Sequence, residues 1–476
     1  MKKLLSVLST CAIVGPSICS VVACNIIKPV VPNSVWTITD GGTINDASFN
    51  QQAWEAAEEY ADVNSSSANY IETLAAGGGT TPSTSDFTQS YQIAKMEGAN
   101  YVIMPGFKHG NSLQQANDVF GMNGGGTYGL YLDGTIDTSK QQNLVGVQYA
   151  GEISGIEAGI VTSLFLYDYH KTEHEYHPTI ATYGGMSNPS SVNSYMWGFV
   201  EGARLINFAI KESTTNNDAQ ALLEQFNSIL ESMCSDPYVL DNSSPLVYMN
   251  SAQVHCDGKD GGNYNKNNSY GLSPYGDDKQ WFSGTFDPTD QSATAIINKA
   301  FSTGTDAIMP VAGPQSNIVL KQIDFYEPKM KKDLFLVGVD TSAKDAYPDQ
   351  DQKIITSALK NLKQSSNDVM TGLADGSLDP GQNFTYTEQP DPSSGIDYLS
   401  WMGVSESAEI KGVQVTPKTV SLVEGIKGPQ SKELYDYINA LTTWYEDPAR
   451  NWSALAQFSD AFKINPDLTS PNSVNQ

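Results

Sequence analysis

Val35-Trp36-Thr37-Ile38-Thr39 runs directly into Asp40-Gly-Gly-Thr-Ile-Asn-Asp46-Ala-Ser48-Phe49-Asn50. The first five residues form a short apolar run bounded by turn residues, the pattern of a buried strand. Phe49, Ala53, Ala56, Ala57 and Tyr60 then recur at helical spacing through Ser48–Asp62. A strand, a polar turn and a helix make the opening unit of an α/β fold. Within the turn, Asp46 or Ser48 can cap the helix. Asp46 and Asn50 can equally face a solute, and Phe49 fits either a core position or an aromatic face for a ligand.

The same alternation continues for over 300 residues. Asp86–Glu97 reads as helix, and Tyr101–Met104 and Leu144–Val147 as strands. Ile153, Ile156, Ile160 and Leu164 mark a further helical face. The second half repeats the scheme: Ile180–Tyr183 strand, Val192–Ile210 helix, Asp290–Ser302 helix, then strands at Ala307–Val311 and Phe335–Val339. Short buried strands alternating with helices predict parallel sheets covered on both faces. One echo suggests two similar halves: Gly98-Ala-Asn-Tyr-Val-Ile-Met-Pro105 resembles Gly304-Thr-Asp-Ala-Ile-Met-Pro310. In both, Gly stops a helix, a strand follows, and Pro is expected to end it. Residues 211–280 break the rhythm with Asn, Ser, Gly and Asp, reading as a helix plus a polar insertion.

The amino terminus carries an export signal. Lys2 and Lys3 precede an apolar stretch from Leu4 to Val22, closed by Val21-Val22-Ala23-Cys24. A basic start, an apolar run and small residues before a cut describe a secretory leader. The Cys24 that follows resembles the lipidated cysteine of bacterial lipoproteins, so 1–23 is expected to be removed and 24–34 to serve as a tether. The chain would then sit on the outer face of the cell membrane, held through lipid on Cys24. A formal charge of −26 argues against nucleic-acid polymers as partners. Cys234 and Cys256 remain in the body, and the sequence leaves open whether they pair.

Ligands of parallel α/β sheets bind beyond the carboxyl ends of the strands. The residues there are Asp40–Asn50, Gly106-Phe107, Gln148-Tyr149, Gly184-Gly185, Ala312-Gly313 and Asp340. Aromatic faces with Asp and Asn suit a neutral, hydroxylated, flat solute. The stretch Thr-Asp40-Gly-Gly-Thr-Ile-Asn-Asp46-Ala-Ser-Phe49-Asn50-Gln-Gln-Ala-Trp resembles the signature of the basic membrane protein family, the purine nucleoside receptor type of lipoprotein. Gly184-Gly185, Trp-Gly198-Phe199-Val-Glu-Gly202, Pro310-Val-Ala-Gly313, Val-Gly338-Val-Asp340 and Ile-Thr-Ser357-Ala-Leu-Lys360-Asn match in the same order. The likeness covers roughly residues 35 to 425.

The resemblance implies a type I periplasmic-binding-protein-like fold: two Rossmann-like lobes with parallel sheets and a hinge of three crossovers. The expected lobes are 35–178 with about 355–385, and 179–354 with about 386–425, followed by a helical extension over 426–476. It further implies that Asp46 and Asn50 bind a nucleoside, expected to be a purine, and that Phe49, Phe107 or Phe199 stack on its base. Gly313 lines the same cleft, Asp340 takes ribose hydroxyls and Lys360 assists it. The implied partners are the permease and ATPase subunits of an ABC importer, with the receptor itself a monomer. The residues alone also allow Asp340 as a turn cap and Lys360 as a solvated helix residue. Three departures stand out: Ala47 where the family more often has Lys, Lys-His-Gly after Phe107, and Gln148-Tyr149.

Other patterns carry less. His170, His174 and His177 would share a helix face able to hold a divalent metal, but Pro178 and the next strand favour a helix end and linker. Asp257-Gly-Lys-Asp-Gly-Gly-Asn places Lys259 and Gly261 where a calcium loop needs ligands. Gly77-Gly78-Gly79 lacks the Gly-Lys-Ser/Thr of a phosphate-binding loop. With no Gly-x-Ser-x-Gly, HExxH or CxxC pattern, no cofactor, metal or catalytic set is expected and the chain reads as a non-enzyme. The competing readings are a pentose or other sugar in the same cleft, and a surface adhesin or sensor using the polar insertion.

Overall fold

The computed structural model describes residues 34–76, 81–149, 151–173, 176–233, 236–249 and 282–384, with short strands at 254–255, 273–274 and 402–404. The expected leader, the expected tether up to residue 33 and the C-terminal extension lie outside the described residues, as do Cys24, Cys234, Cys256 and His174.

The chain builds two six-stranded sheets of the same plan. The first holds β1 (Ser34–Ile38), β2 (Ala68–Ile71), β3 (Ala99–Pro105), β4 (Tyr128–Leu132) and β5 (Leu144–Val147), all parallel. The second holds β6 (Thr179–Gly184), β7 (Tyr248–Met249), β10 (Ala307–Val311), β11 (Phe335–Asp340) and β12 (Ile354–Lys360), again parallel. Between them in sequence, β8 (Val254–His255) and β9 (Ser273–Pro274) make a separate antiparallel pair. The chain then adds β13 (Gln382–Phe384) to the first sheet beside β5, and β14 (Met402–Val404) antiparallel to β12 in the second. The orders β2-β1-β3-β4-β5-β13 and β7-β6-β10-β11-β12-β14 are therefore equivalent.

That equivalence gives the sequence echo its meaning. β3 and β10 occupy the same place in their sheets, each between the first strand and the fourth of its half. Gly98 and Gly304 have φ of +86° and +102°, the left-handed turn that ends the helix before each strand. One detail differs: β10 runs through Pro310 to Val311 instead of ending at the proline.

The helices are α1 (Phe49–Val63), α2 (Thr84–Met96), α3 (Leu113–Gly121), α4 (Gly151–Tyr169), α5 (Ser194–Glu212), α6 (Asn217–Met233), α7 (Gln291–Ser302), α8 (Ser316–Met330), α9 (Ala343–Ala346) and α10 (Leu362–Asp375). Two find their start signals locally: Ser83 and Asp86 close a capping box on α2, and Asp290 caps α7. α1 buries Ala53, Ala56, Ala57 and Tyr60, the residues whose spacing predicts it.

α4 is apolar almost all round and buried on every side. It packs on α5 and β12. Glycines make the approach of α4 and α5 close: a Cβ at Gly155 would stand 2.5 Å from the Tyr195 carbonyl oxygen, and one at Gly159 would strike that of Phe199. This packing moves the lobe bounds from those expected. Residues 151–169 belong with the second sheet although 35–178 was expected to be first lobe, and β12 lies in the second sheet although 355–385 was assigned to the first. The reason is the duplicated plan, in which the chain crosses as soon as the fifth strand of a half is complete. After β5 it crosses into α4; after β12 it crosses back into α10, which packs on α1, and into β13; the third crossing lies between Phe384 and Met402.

Candidate functional site

The carboxyl ends of both sheets face one cavity of about 780 Å³. Residues at or beyond the carboxyl ends of β1, β3, β4, β10, β11 and β12 line it, so it is built from both halves of the chain. Asp46, Phe49, Asn50, Phe107, Gly313, Asp340 and Lys360 are brought together on its wall.

Phe199 is not among them. It sits on α5 with no exposed surface, inside the core cluster formed with α4. The physical cause is packing: the Phe199 backbone lies against Gly155 and Gly159 of α4, and its side chain is buried in the core cluster rather than in the cleft.

Asp46 and Asn50 form a closed network. Asp46 Oδ1 accepts from Ser48 N (2.9 Å) and Gln51 N (3.1 Å), and its Oδ2 accepts from Asn50 Nδ2 (2.8 Å) and Asn50 N (3.3 Å). Asn50 Nδ2 also donates to Asp40 Oδ1 (3.0 Å), while Asn50 Oδ1 accepts from Asp40 N (3.2 Å). Asp46 thus supplies the acceptor that the first turn of α1 lacks, since the Ser48 side chain makes no capping bond. Burial pushes the Asp46 carboxyl up to about 6, against the hydrogen bonds it accepts and assisted by nearby Asp40.

Lys360 is a strand residue, not a solvated helix residue. It ends β12 with 1% of its side chain exposed. Its ammonium lies 2.8 Å from Asp133 Oδ1 and 3.6 Å from Asp340 Oδ1. Phe49, Tyr149 and Tyr195 present ring faces 4.9, 5.4 and 5.1 Å from the same nitrogen. Burial raises the Asp340 carboxyl, an effect the Lys360 charge and a Ser48 hydroxyl hydrogen bond oppose. Asp340 closes β11 with φ of +63°, Asp133 follows β4 with φ of +76°, and Ala47 has φ of +54°. Left-handed non-glycine residues gathered at one cavity mark a place where the surrounding structure holds the backbone in shape.

The two halves touch across the cavity. Thr341 Oγ1 donates to the Ala47 carbonyl (3.3 Å) and Ser191 Oγ to the Asp133 carbonyl (3.2 Å). At Gly313 a Cβ would collide with the Ser48 hydroxyl, so only glycine lets the halves meet there. Phe107 from the first half and Phe286 from the second sit edge to face at 6.1 Å.

Several lining residues escaped the sequence reading. Asp133 follows a strand whose Tyr128-Gly-Leu-Tyr-Leu132 pattern gave no clear alternation, and Phe286 lies just after the polar insertion, far from any strand signal. Asp40 and Lys108 form an ion pair at 3.5 Å, and Gly106 (φ +94°) allows it, because a Cβ there would stand 2.6 Å from Asp40 Oδ2. The Lys-His-Gly departure after Phe107 was the available signal for Lys108. His109 beside it is buried: Nδ1 is 2.8 Å from the Tyr91 hydroxyl and Nε2 is 3.0 Å from the Ile38 carbonyl. Burial pushes its imidazole down to about 4, so it stays neutral and ties the loop carrying Lys108 to the end of β1.

Of the three-histidine motif, His170 and His177 are described and His174 lies outside the described residues. His170 pairs with Glu173 (2.7 Å) and stacks on Tyr176, whereas His177 stacks on Tyr248. Among the described residues no group of three metal-ligating side chains occurs, and no helix is long and apolar enough to cross a membrane.

No family model matches the chain. It is 24% identical over 370 residues to an uncharacterized lipoprotein of Mycoplasma pneumoniae, covering 68% of this chain and 52% of that one. It is 28% identical over 178 residues to BmpA, an ABC transporter nucleoside-binding protein of Lactococcus lactis, covering 37% of this chain and 44% of that one. The likeness of the sequence to the basic membrane protein family is thus matched by similarity to BmpA and to the mycoplasma lipoprotein. It spans about half the length of the curated relatives it matches. Among solved structures, an ABC transporter solute-binding protein from Aeropyrum pernix K1 superposes with a TM-score of 0.50 at 13% identity, covering 91% of this chain and 90% of that one. The fold is that of the type I periplasmic binding proteins, as the resemblance implied.

Proposed function

We propose that this lipoprotein relative is an exported, lipid-anchored solute receptor that captures a nucleoside, a purine by preference, between its two lobes and delivers it to an ABC importer. The observation that carries the reading is the cavity of about 780 Å³, lined from both sheets by aromatic rings, carboxylates and a lysine. A pocket of that size with a few convergent polar groups fits a drug-sized, largely buried solute. Phe49, Phe107 and Phe286 offer faces for a base, replacing the expected Phe199. Asp340 is poised to accept from ribose hydroxyls and Lys360 to donate beside it. Asp46 and Asn50 act by shaping the first-lobe wall. Closure of the lobes buries the solute and creates the surface a permease reads. Kinship to BmpA, named as a nucleoside-binding protein, points to the solute class. Anchoring through Cys24 and residence as a monomer on the outer face of the membrane belong to the same proposal.

A thermal-shift series on the purified full-length chain with purine and pyrimidine nucleosides, free bases, ribose and other pentoses tests it. A cleft ligand at about 100 times its dissociation constant stabilises by roughly 2.7 kcal/mol. A nucleoside should raise the melting temperature. A response to ribose or another pentose alone would move the assignment to sugars, and silence from every solute would remove the receptor reading.

A further inference from the structure

The groups that bound the first-lobe side of the cavity differ in what they have left to offer a solute. Both oxygens of Asp46 are occupied by Ser48, Gln51 and Asn50, and the Asn50 amide spends its oxygen and both of its hydrogens on Asp40 and Asp46. Lys108 stands apart. An ammonium carries three donors and no acceptor, and among the described residues its charged partner is Asp40, at a loose 3.5 Å. It is held in place nonetheless. Only 9% of its side chain is exposed, Phe286 from the other half presents its ring 5.2 Å away, and His109 pins the loop to Ile38 and Tyr91.

We infer that Lys108, paired with Asp40, is a specificity-determining residue that selects bases carrying a carbonyl oxygen beside a ring N–H. The inference rests on the nucleoside reading above. A donor-only group walled into a cavity must meet lone pairs, and a carbonyl oxygen supplies them. Asp40 Oδ2, on the Lys108 side of the carboxylate, accepts from the adjacent ring N–H. An exocyclic amino group in place of the carbonyl sets donor against donor and strands the ammonium. A phosphate is disfavoured although it is rich in lone pairs, because Asp40, Asp46 and Asp287 line the same cavity and repel a full anion.

The test is isothermal titration of the full-length chain with inosine, guanosine and adenosine, repeated on Lys108→Met and Lys108→Arg. The expected result is that the two 6-oxopurine nucleosides bind at least about tenfold more tightly than adenosine, the worth of one charge-assisted hydrogen bond. Lys108→Met should erase that ratio by weakening inosine and guanosine, and Lys108→Arg should keep its direction. Adenosine binding as tightly as inosine in the unaltered protein overturns the inference without recourse to any variant. So does an unchanged ratio in Lys108→Met. Either result leaves the nucleoside reading standing, whereas no binding by any of the three removes the inference together with the purine preference on which it rests.

Discussion

Lys360 and Asp133 join the two sheets through an ion pair of 2.8 Å that is almost wholly buried. Lys360 ends a strand of the second sheet, and Asp133 follows a strand of the first. Nothing else in the cavity binds the halves by opposite charges at so short a range among the described residues. Replacing Lys360 by Met strands two carboxylates, Asp133 and Asp340, in a poorly solvated place. Breaking a buried pair from one side typically costs about 3–5 kcal/mol. Lys360→Met should therefore lower the free energy of unfolding by that order, and Asp133→Asn by less, because Asp340 remains beside the ammonium at 3.6 Å. Urea unfolding of both variants decides the point, and equal, sub-kilocalorie losses would contradict it.

Asp46 and His109 titrate with opposite consequences. The Asp46 carboxyl is pushed from 3.8 up to about 6 by burial, so the folded chain holds a proton there that the unfolded chain releases earlier. Its contribution to stability is complete below about pH 4 and is lost as the pH rises through 6, a change of about 3 kcal/mol. The His109 imidazole is pushed from 6.5 down to about 4, so its contribution is complete above pH 6.5 and is lost, by a similar amount, as the pH falls through 4. In the unaltered protein the two slopes nearly cancel between pH 4 and 6. Relative to it, His109→Gln should become more stable as the pH is lowered through that window, and Asp46→Asn less stable. Denaturant midpoints across a pH series would show parallel curves if either assignment were mistaken.

The α4–α5 contact carries a prediction that separates packing from binding. Gly159→Ala thrusts a methyl group onto the Phe199 backbone, and overpacking of this kind costs typically about 1–3 kcal/mol. Phe199→Ala removes a fully buried ring and should cost about 3–5 kcal/mol. Both variants should keep solute affinity at temperatures where they remain folded, as the ring stands outside the cavity lining. Calorimetric titration showing a selective loss of binding in Phe199→Ala, with stability unchanged, would return that residue to the site.

The alternation of short apolar runs and helical spacings was enough to read the parallel α/β class. Asp46, Phe49, Asn50, Phe107, Gly313, Asp340 and Lys360 were legible as cavity residues because they follow strand ends, or belong to motifs collinear with a known family. Phe199 failed because a motif match carries no information on which way a helix turns its ring. Asp133 and Phe286 were invisible for a different reason. Their positions depend on pairing across the two halves, and neither a weakly alternating strand nor a loop after a polar insertion announces that in one dimension. The place where the chain crosses after β5 was likewise hidden, since the apolar, helix-forming residues of α4 suit either lobe equally well.

Phe107 and Phe286 offer the sharpest test that the cavity is a closing site. The rings meet edge to face at 6.1 Å, one from each half, and the Lys108 ammonium lies 5.2 Å from the Phe286 ring. Such an aromatic pair is worth about 0.5–1.5 kcal/mol beyond the area it buries. If the pair helps hold the halves together, Phe107→Ala and Phe286→Ala should not be additive, and the double variant should lose less stability than the sum of the singles by about that amount. If the rings also flank the solute, each single variant should weaken binding by roughly two- to tenfold. Strict additivity in stability, together with unaltered affinity, would mean that the rings are neighbours without a shared role, and the wall of the binding site would have to be drawn without Phe286.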